Sequence, residues 1–392
     1  MFNTLYILLL FQNAPFSKKA MKLFHFLPIA LIFWACNKIP SAETNCSPVF
    51  SLLKVRNEPG WSSGYKMCQS FQKGGHTVLI GYNRFSNRLQ GWNLDENRAE
   101  FETQLQIEGP DAIPEIVSFY YHNKDSIFIL SFFSLSLIRS DGATVWRRVI
   151  NNDKSEINGN HTAASKLWCD PNNSSPIFYS RRENAVYAAF KPLKVFENGR
   201  KKQPLCGKLG LADFKLEPLP IYLPETYVKG YYPNYDQANI RFGEDQIVYG
   251  FNHNPIVYRY NVKTKKTELI NCPSKFVTQF AVPISETVQE GSPELMGYIG
   301  KYPLFFKFNW DGKYYYRVYV GEASGDPGNA QRKKYLMVFD NDLGLQSDFE
   351  LPDGLAAMGS NVPVDDGVIF YKLFGESEEI NEYIKVGLVC TK

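Results

Sequence analysis

Lys73-Gly74-Gly75-His76-Thr77-Val78-Leu79-Ile80-Gly81-Tyr82 reads as a tight turn followed by a strand. Glycines supply the left-handed backbone of a two-residue hairpin turn. The run after them is β-branched and aromatic, the composition of a pleated, half-buried element. The same unit returns five times: NKD-SIFILSF with its strand at 126–132, REN-AVYAAF at 185–190, GED-QIVYGF at 246–251, WDGK-YYYRVYV at 314–320 and VDD-GVIFYKL at 367–373. The intervals are uneven, about 50–70 residues, the length of a four-stranded propeller blade with variable loops.

Each copy extends in both directions. A candidate inner strand precedes it at 65–71, 116–121, 177–180, 238–242, 304–308 and 357–362. A third strand follows it: LQGWNLD from Leu89, LSLIRSD from Leu135, KLGLADF from Lys208, PIVYRYN from Pro255, YLMVFDN from Tyr335 and YIKVGLV from Tyr383. Five of these turn back into a fourth: AEFETQL, ATVWRRV, EPLPIYL, KTELINC and LQSDFEL. Such runs, bounded by Asp, Asn, Gly and Lys, are hairpins. The expected fold class is therefore all-β, a six-bladed β-propeller. Seven blades is the alternative count, and a pair of β-sandwiches the alternative architecture.

The sixth copy stops at its third strand. VFSLLKV at 49–55 has no partner in the first blade, so its expected place is the outer strand of the last one. That closes the ring and covers an edge that would otherwise template aggregation. Antiparallel pairing there brings Cys390 close to Cys46, and a disulfide between them is expected.

Phe and Tyr are abundant, and the formal net charge is +3. Nucleic acid is not an expected partner, because its recognition needs a concentrated basic footprint. The longest basic clusters, Arg200-Lys201-Lys202 and Arg332-Lys333-Lys334, are short. No Cys or His pair has metal-ligand spacing, so no metal is expected. No cofactor is expected either, and a monomer is the expected state.

From Met21 the chain reads MKLFHFLPIALIFWAC. Lys22 supplies a positive start, and an apolar stretch too short to span a bilayer follows. Phe33-Trp34-Ala35-Cys36 resembles the lipobox of bacterial lipoproteins, although Phe33 and Trp34 depart from its usual residues. The resemblance implies lipidation of Cys36 and anchoring to a membrane, with Met21 as an alternative start. Expected boundaries are 1–36 for the signal and lipidation segment, 37–48 for a tether and 49–392 for a single propeller domain. The expected location is the cell envelope, the outer membrane facing periplasm or cell surface. Six further cysteines, Cys46, Cys68, Cys169, Cys206, Cys272 and Cys390, suit an oxidising compartment. The hairpin IRSDGATVW at 138–146 resembles the Asp-Gly…Trp hairpins of quinoprotein-type propellers, and we read it as turn and packing chemistry. The layout from residue 37 onward also resembles uncharacterised families of bacterial β-propeller lipoproteins, a resemblance that implies no functional residues.

The longest connections, 151–176, 191–207, 223–237, 273–303, 321–334 and 374–382, all fall on one face of such a ring, and loops this long are often functional. On that face Tyr227, Tyr231, Tyr232 and Tyr235 form a candidate ligand surface, since aromatic rings with polar tips suit sugars and peptides. Trp168 and His161 are further candidates. No G-x-S-x-G, H-E-x-x-H or P-loop occurs. The acidic pairs Asp365-Asp366 and Glu378-Glu379 read as solvated turn and loop residues. The leading expectation is a non-catalytic envelope protein holding a glycan, peptide or protein partner through its loop face. A carbohydrate- or peptide-active enzyme with its site in the central funnel is the alternative. An assembly subunit is a third.

Overall fold

The computed structural model describes residues 45–391, apart from 62–66, 114–115, 132–133, 150–166, 169–176, 191–203, 234–237, 286–287, 290, 325–330, 357–360 and 374–378. The described chain is a six-bladed β-propeller. Blade one is β2 (Cys68–Lys73), β3 (His76–Asn83), β4 (Arg88–Asn93) and β5 (Arg98–Gln104). Blade two is β6 (Ile116–Asn123), β7 (Ser126–Ser131), β8 (Ser134–Ile138) and β9 (Thr144–Val149). Blade three has β11 (Phe178–Ser180), β12 (Ala185–Phe190), β13 (Cys206–Gly210) and β14 (Leu216–Pro218), with the short β10 (Leu167–Trp168) also pairing with β12. Blade four is β15 (Ala238–Arg241), β16 (Gln246–Phe251), β17 (Val257–Asn261) and β18 (Lys266–Ile270). Blade five is β19 (Leu304–Trp310), β20 (Tyr315–Ser324), β21 (Gln331–Phe339) and β22 (Leu345–Glu350).

Blade six combines the two ends of the chain. Its order is β1 (Asn45–Arg56), β25 (Ile380–Thr391), β24 (Gly367–Tyr371) and β23 (Asn361–Val364). The closing strand starts at Asn45, within the stretch read from sequence as a tether. Its register runs unbroken from Asn45 opposite Thr391 to Arg56 opposite Ile380. Cys46 stands opposite Cys390, and the two are joined by a disulfide.

The second strand of each blade reads as a continuous apolar run because both its faces are covered. Val78 and Ile80 of β3 enter the core between blades one and two, while Leu79 enters the core between blades six and one. Ile127 and Ile129 face blade one, and Phe128 and Leu130 face blade three. Period-two alternation thus feeds a separate core at every seam, as expected for sheets covered on both sides. The turns before these strands use the residues their geometry demands. Gly74 and Gly75 both have positive φ, 59° and 85°, and the turn closes with Lys73 opposite His76.

Polar side chains of the inner strands link every seam. Gln69 Oε1 accepts from Tyr121 N at 2.8 Å, Ser118 Oγ from Ile177 N at 3.2 Å, and Glu244 Oε2 from Ser180 Oγ at 2.6 Å. Asn239 Nδ2 donates to Phe305 O at 3.3 Å, Asn309 Nδ2 to Asn361 Oδ1 at 2.8 Å, and Ser70 Oγ to Pro363 O. A net hydrogen bond contributes about 1 kcal/mol, so this ring sets the register of the blades more than it sets total stability.

One expected loop is largely strand. The connection read at 321–334 is taken up by β20 and β21, whose pairing continues to Ser324 opposite Gln331. Its basic residues are engaged: Arg332 donates to Gly321 O and Ile299 O at 2.7 and 3.1 Å, and Lys333 pairs with Glu350 at 2.9 Å. The basic cluster at 200–202 lies outside the described residues.

Candidate functional site

Two places combine shape with chemistry. The first is on the face that carries the long connections. The chain leaving β1 turns at Glu58-Pro59-Gly60-Trp61 beside the short β3–β4 turn, forming a cleft of about 920 Å³ at the seam of blades six and one. Trp61 stands edge-on to Trp92 at 4.9 Å, which holds its ring in place. Phe85, at the tip of the turn, is 96% exposed. Asn83 Oδ1 accepts from the backbone N of Phe85 at 3.0 Å and so fixes the tip. Arg56, Glu58 and Glu379 give the rim charges of both signs.

Nothing in the sequence marks this cleft, because Phe85 lies in a short connection between β3 and β4. Two of the four candidate tyrosines are buried. Helix α1 (Glu225–Lys229) carries Tyr227 inward to 1% exposure, and Tyr232 is 8% exposed. Tyr227 packs against Phe251 and Tyr232 at ring distances of 4.6 and 5.2 Å. Its hydroxyl is hydrogen-bonded to His253 Nδ1, and Asn254 Nδ2 donates to His253 Nε2 at 2.8 Å. These rings seat the loop on blade four. Tyr231 is half-buried and bridges to Ile284 through its backbone. Trp168 lies in β10, its backbone opposite Ala189. His161 and Tyr235 lie outside the described residues, as do Cys36 and Cys169.

Burial, and secondarily the charge of Arg317, push the His253 imidazole down to about 3. Below the ordinary histidine value the unfolded chain takes up a proton that the folded chain refuses until about pH 3. Stability should therefore fall as pH drops through this window, by up to about 1.4 kcal/mol per pH unit from this group. Urea titrations of the wild type and His253→Gln at pH 7 and pH 5 check this. The wild type should lose more than the variant, and equal losses would remove His253 as the cause.

The second place is the central channel. The six inner strands β2, β6, β11, β15, β19 and β23 surround a cavity of about 260 Å³, and every blade contributes to its wall. Arg241 comes from the end of β15 and Lys307 from the middle of β19. The β19 register shifts between Phe305 and Phe308, so that Phe306 and Lys307 stand opposite the single residue Val318. Such a bulge re-aims a side chain, here bringing a lysine to the channel wall from within a buried strand. Cys68, Ser70, Gln69 and His122 add polar atoms, and Phe71, Tyr120, Tyr121 and Phe178 add rings.

No Asp or Glu lines this cavity among the described residues. Loss of solvation, followed by the charge of Arg241, holds Lys307 down at about 8, although the nearby Cys68 acts in the opposite sense. Loss of solvation also pushes the Cys68 thiol up to about 12, so it is not a thiolate at neutral pH. Burial and Arg181 lower His122. The wall can hold an anion and pack an apolar body. It lacks the pair of carboxylates that glycoside hydrolysis uses. Among the described residues no group of three or more His, Cys, Asp or Glu could hold a metal ion.

The family model for a domain of unknown function, DUF4221, matches residues 63–345. Among solved structures, the chain is similar to a DUF4221-family member from Bacteroides vulgatus, with a TM-score of 0.73, 12% identity, and coverage of 89% of this chain and 100% of the other. It is also similar to a candidate exported protein from Bacteroides fragilis, with a TM-score of 0.50, 11% identity, and coverage of 91% and 98%. No curated protein sequence matches. At these identities the structural likeness concerns the fold.

Proposed function

This chain belongs to the DUF4221 family, a domain of unknown function, and on that footing we propose that it is an envelope-anchored propeller that binds a glycan or peptide through its long-connection face. The observation that carries the reading is the almost fully exposed Phe85 beside the edge-braced Trp61 in the cleft between blades six and one. A large ring held in water by a fixed turn costs hydration free energy unless a ligand covers it. A rim of mixed charge around apolar rings suits a polar ligand with a flat apolar side, such as a sugar face or a peptide backbone beside an aliphatic side chain.

Anchoring is supported by Phe33-Trp34-Ala35-Cys36 and by the likeness to a protein described as a candidate for export. The Cys46–Cys390 disulfide suits an oxidising compartment outside the cytoplasm. In this reading Cys36 carries the lipid, and a lipid-labelling experiment on Cys36→Ala should release the protein from membranes.

The binding reading is tested on the full chain with glycan and peptide arrays, followed by titration of the best ligand against Phe85→Ala. Phe85 makes no core contact, so the variant should fold as the wild type. Affinity should fall about tenfold or more, as for an aromatic anchor at the centre of an interface. Affinity unchanged in the variant would move the site away from this cleft.

A further inference from the structure

We propose that the outer edge of blade six, at the end where β1 begins, rests on the lipid surface and so holds the long-connection face clear of the membrane. This deepens the anchored reading given above and rests on a lipid at Cys36.

An outer strand exposes a row of backbone groups, and proteins blunt such edges with charge. The outer strands of the other five blades each carry an ionised side chain: Glu102 in β5, Arg148 in β9, Glu217 in β14, Glu268 in β18 and Glu350 in β22. β1 differs. From Asn45 to Leu53 it has none, and its own charges, Lys54 and Arg56, come only at the cleft end. Val49, Phe50 and Leu52 stand in that uncharged stretch, and Val389 of β25 lies opposite Ser47. All four are between 41% and 57% exposed. Exposed apolar groups gathered in one place mark a surface that something covers.

Two observations name the occupant as lipid. One is the tether. Eight residues, 37–44, separate Cys36 from Asn45, so the lipid lies within about 30 Å of the start of β1 even at full extension. The Cys46–Cys390 bridge pins that start to β25, so the strand cannot peel away to lengthen the reach. The other is charge. Over 383–391, the part of β25 opposite 45–53, Lys385 is the single charged residue. A lysine beside an apolar patch lays its stem on the patch and its ammonium among lipid phosphates.

A second chain fits this edge less well. Asn57 N donates to Glu379 O, which turns the odd-numbered backbone groups of β1 to β25 and the even-numbered ones outward. Of these, Cys46 O already accepts from Ser347 Oγ, Pro48 has no N–H, and Arg56 N donates to Asn97 Oδ1 at 3.0 Å. A strand could add only along 50–54, whereas a lipid surface needs no register. Docking there also orients the molecule. Asn45 stands beside Thr391, away from the long connections, and β1 runs from there to the cleft. At about 3.3 Å per residue, Arg56 on the cleft wall lies about 20 Å beyond Phe50. The cleft is thereby turned to the aqueous side.

The test uses the lipid-bearing full chain in vesicles of phosphatidylethanolamine and phosphatidylglycerol. In a Cys169→Ser background, nitroxides are placed by Leu52→Cys and Val389→Cys, with Met296→Cys on the connection 273–303 as the aqueous reference. All three side chains are exposed, so the labelled chains should fold as the wild type. Flotation reports the anchor, and collision with oxygen against a water-soluble nickel chelate reports depth. The protein should float, and the oxygen-to-nickel ratio at Leu52 and Val389 should lie severalfold above that at Met296. Val49→Glu should lower the ratio at Val389, its diagonal neighbour, towards the Met296 value while flotation persists. Flotation with equal ratios at all three positions would leave the anchor standing and overturn the docking. Dipolar broadening between Leu52 labels would show a second copy on the edge and overturn it too. Absence of flotation would show that Cys36 carries no lipid and would overturn both.

Discussion

Replacing Arg317 with methionine should destabilise the propeller by about 3–5 kcal/mol. Arg317 stands in β20 and is fully buried, at 0% exposure. Among the described residues no carboxylate is a hydrogen-bond partner of it. Its nitrogens donate to four carbonyls instead: Phe251 at 2.8 Å, Asn254 at 3.2 Å, Phe306 at 3.3 Å and Ile256 at 3.4 Å. Three of these belong to blade four and one to the bulged strand of blade five. The guanidinium also lies over the rings of Phe305 and Phe308 at 4.9 and 4.7 Å. Burial pushes its proton affinity down, yet the group stays charged at neutral pH.

Methionine fills much of the volume but leaves those carbonyls without donors in a dry seam, at a cost of about 1–3 kcal/mol each before relaxation. For a chain of this size the midpoint of thermal unfolding should drop by roughly 4–7 °C. The site also explains Gly250. A Cβ there would lie 2.8 Å from an Arg317 nitrogen and 3.0 Å from Ile256 O, so only glycine lets the guanidinium pass. Gly250→Ala should therefore be costly in the wild type and much milder in Arg317→Met, because the two residues share one space. Additive losses, or a midpoint for Arg317→Met within about a degree of wild type, would contradict this account.

Opening the Cys46–Cys390 bridge is the second large effect. The bond closes a loop with a sequence separation of 344 residues. Chain-entropy reasoning gives about 6 kcal/mol for so long a loop, which places the stabilisation at the upper end of the observed range, about 5 kcal/mol. Cys390→Ser should show most of that loss in urea unfolding, and reductant should shift the wild type towards the variant. The molecule should still fold, because β1 keeps a long register with β25 and touches blade five: Phe50 meets the Phe349 ring edge-on at 6.1 Å, and Ser347 Oγ donates to Cys46 O at 3.1 Å. The first structure to open on reduction should be the β1 end at Asn45, seen as faster amide exchange there than in β3 or β16. Wild type and Cys390→Ser unfolding at one denaturant concentration would show that the bridge contributes nothing. The other described cysteines should stay unreactive: burial raises the thiols of Cys206 and Cys272.

What the sequence determined by itself was the repeat. Turn residues at Gly74-Gly75 and Asp365-Asp366, followed by runs apolar on both faces, are local signals, and each states its own strand and bend. The unpartnered VFSLLKV segment made ring closure through the last blade readable, since a fourth strand was missing there and present everywhere else. The sites were not readable in this way. Of the tyrosines near Tyr227, composition reports polarity and not direction: a single turn of helix sends Tyr227 into the core, and Tyr232 is buried beside it. Phe85 looked ordinary because a short turn carries no length signal. Arg241 and Lys307 are separated by 66 positions and belong to different blades, and only the closed ring, with one register shift in β19, brings them to a common wall. Strand propensity acts between neighbours in the chain, whereas a propeller channel is assembled from one residue or two of every blade. Its chemistry exists only after the ring has closed.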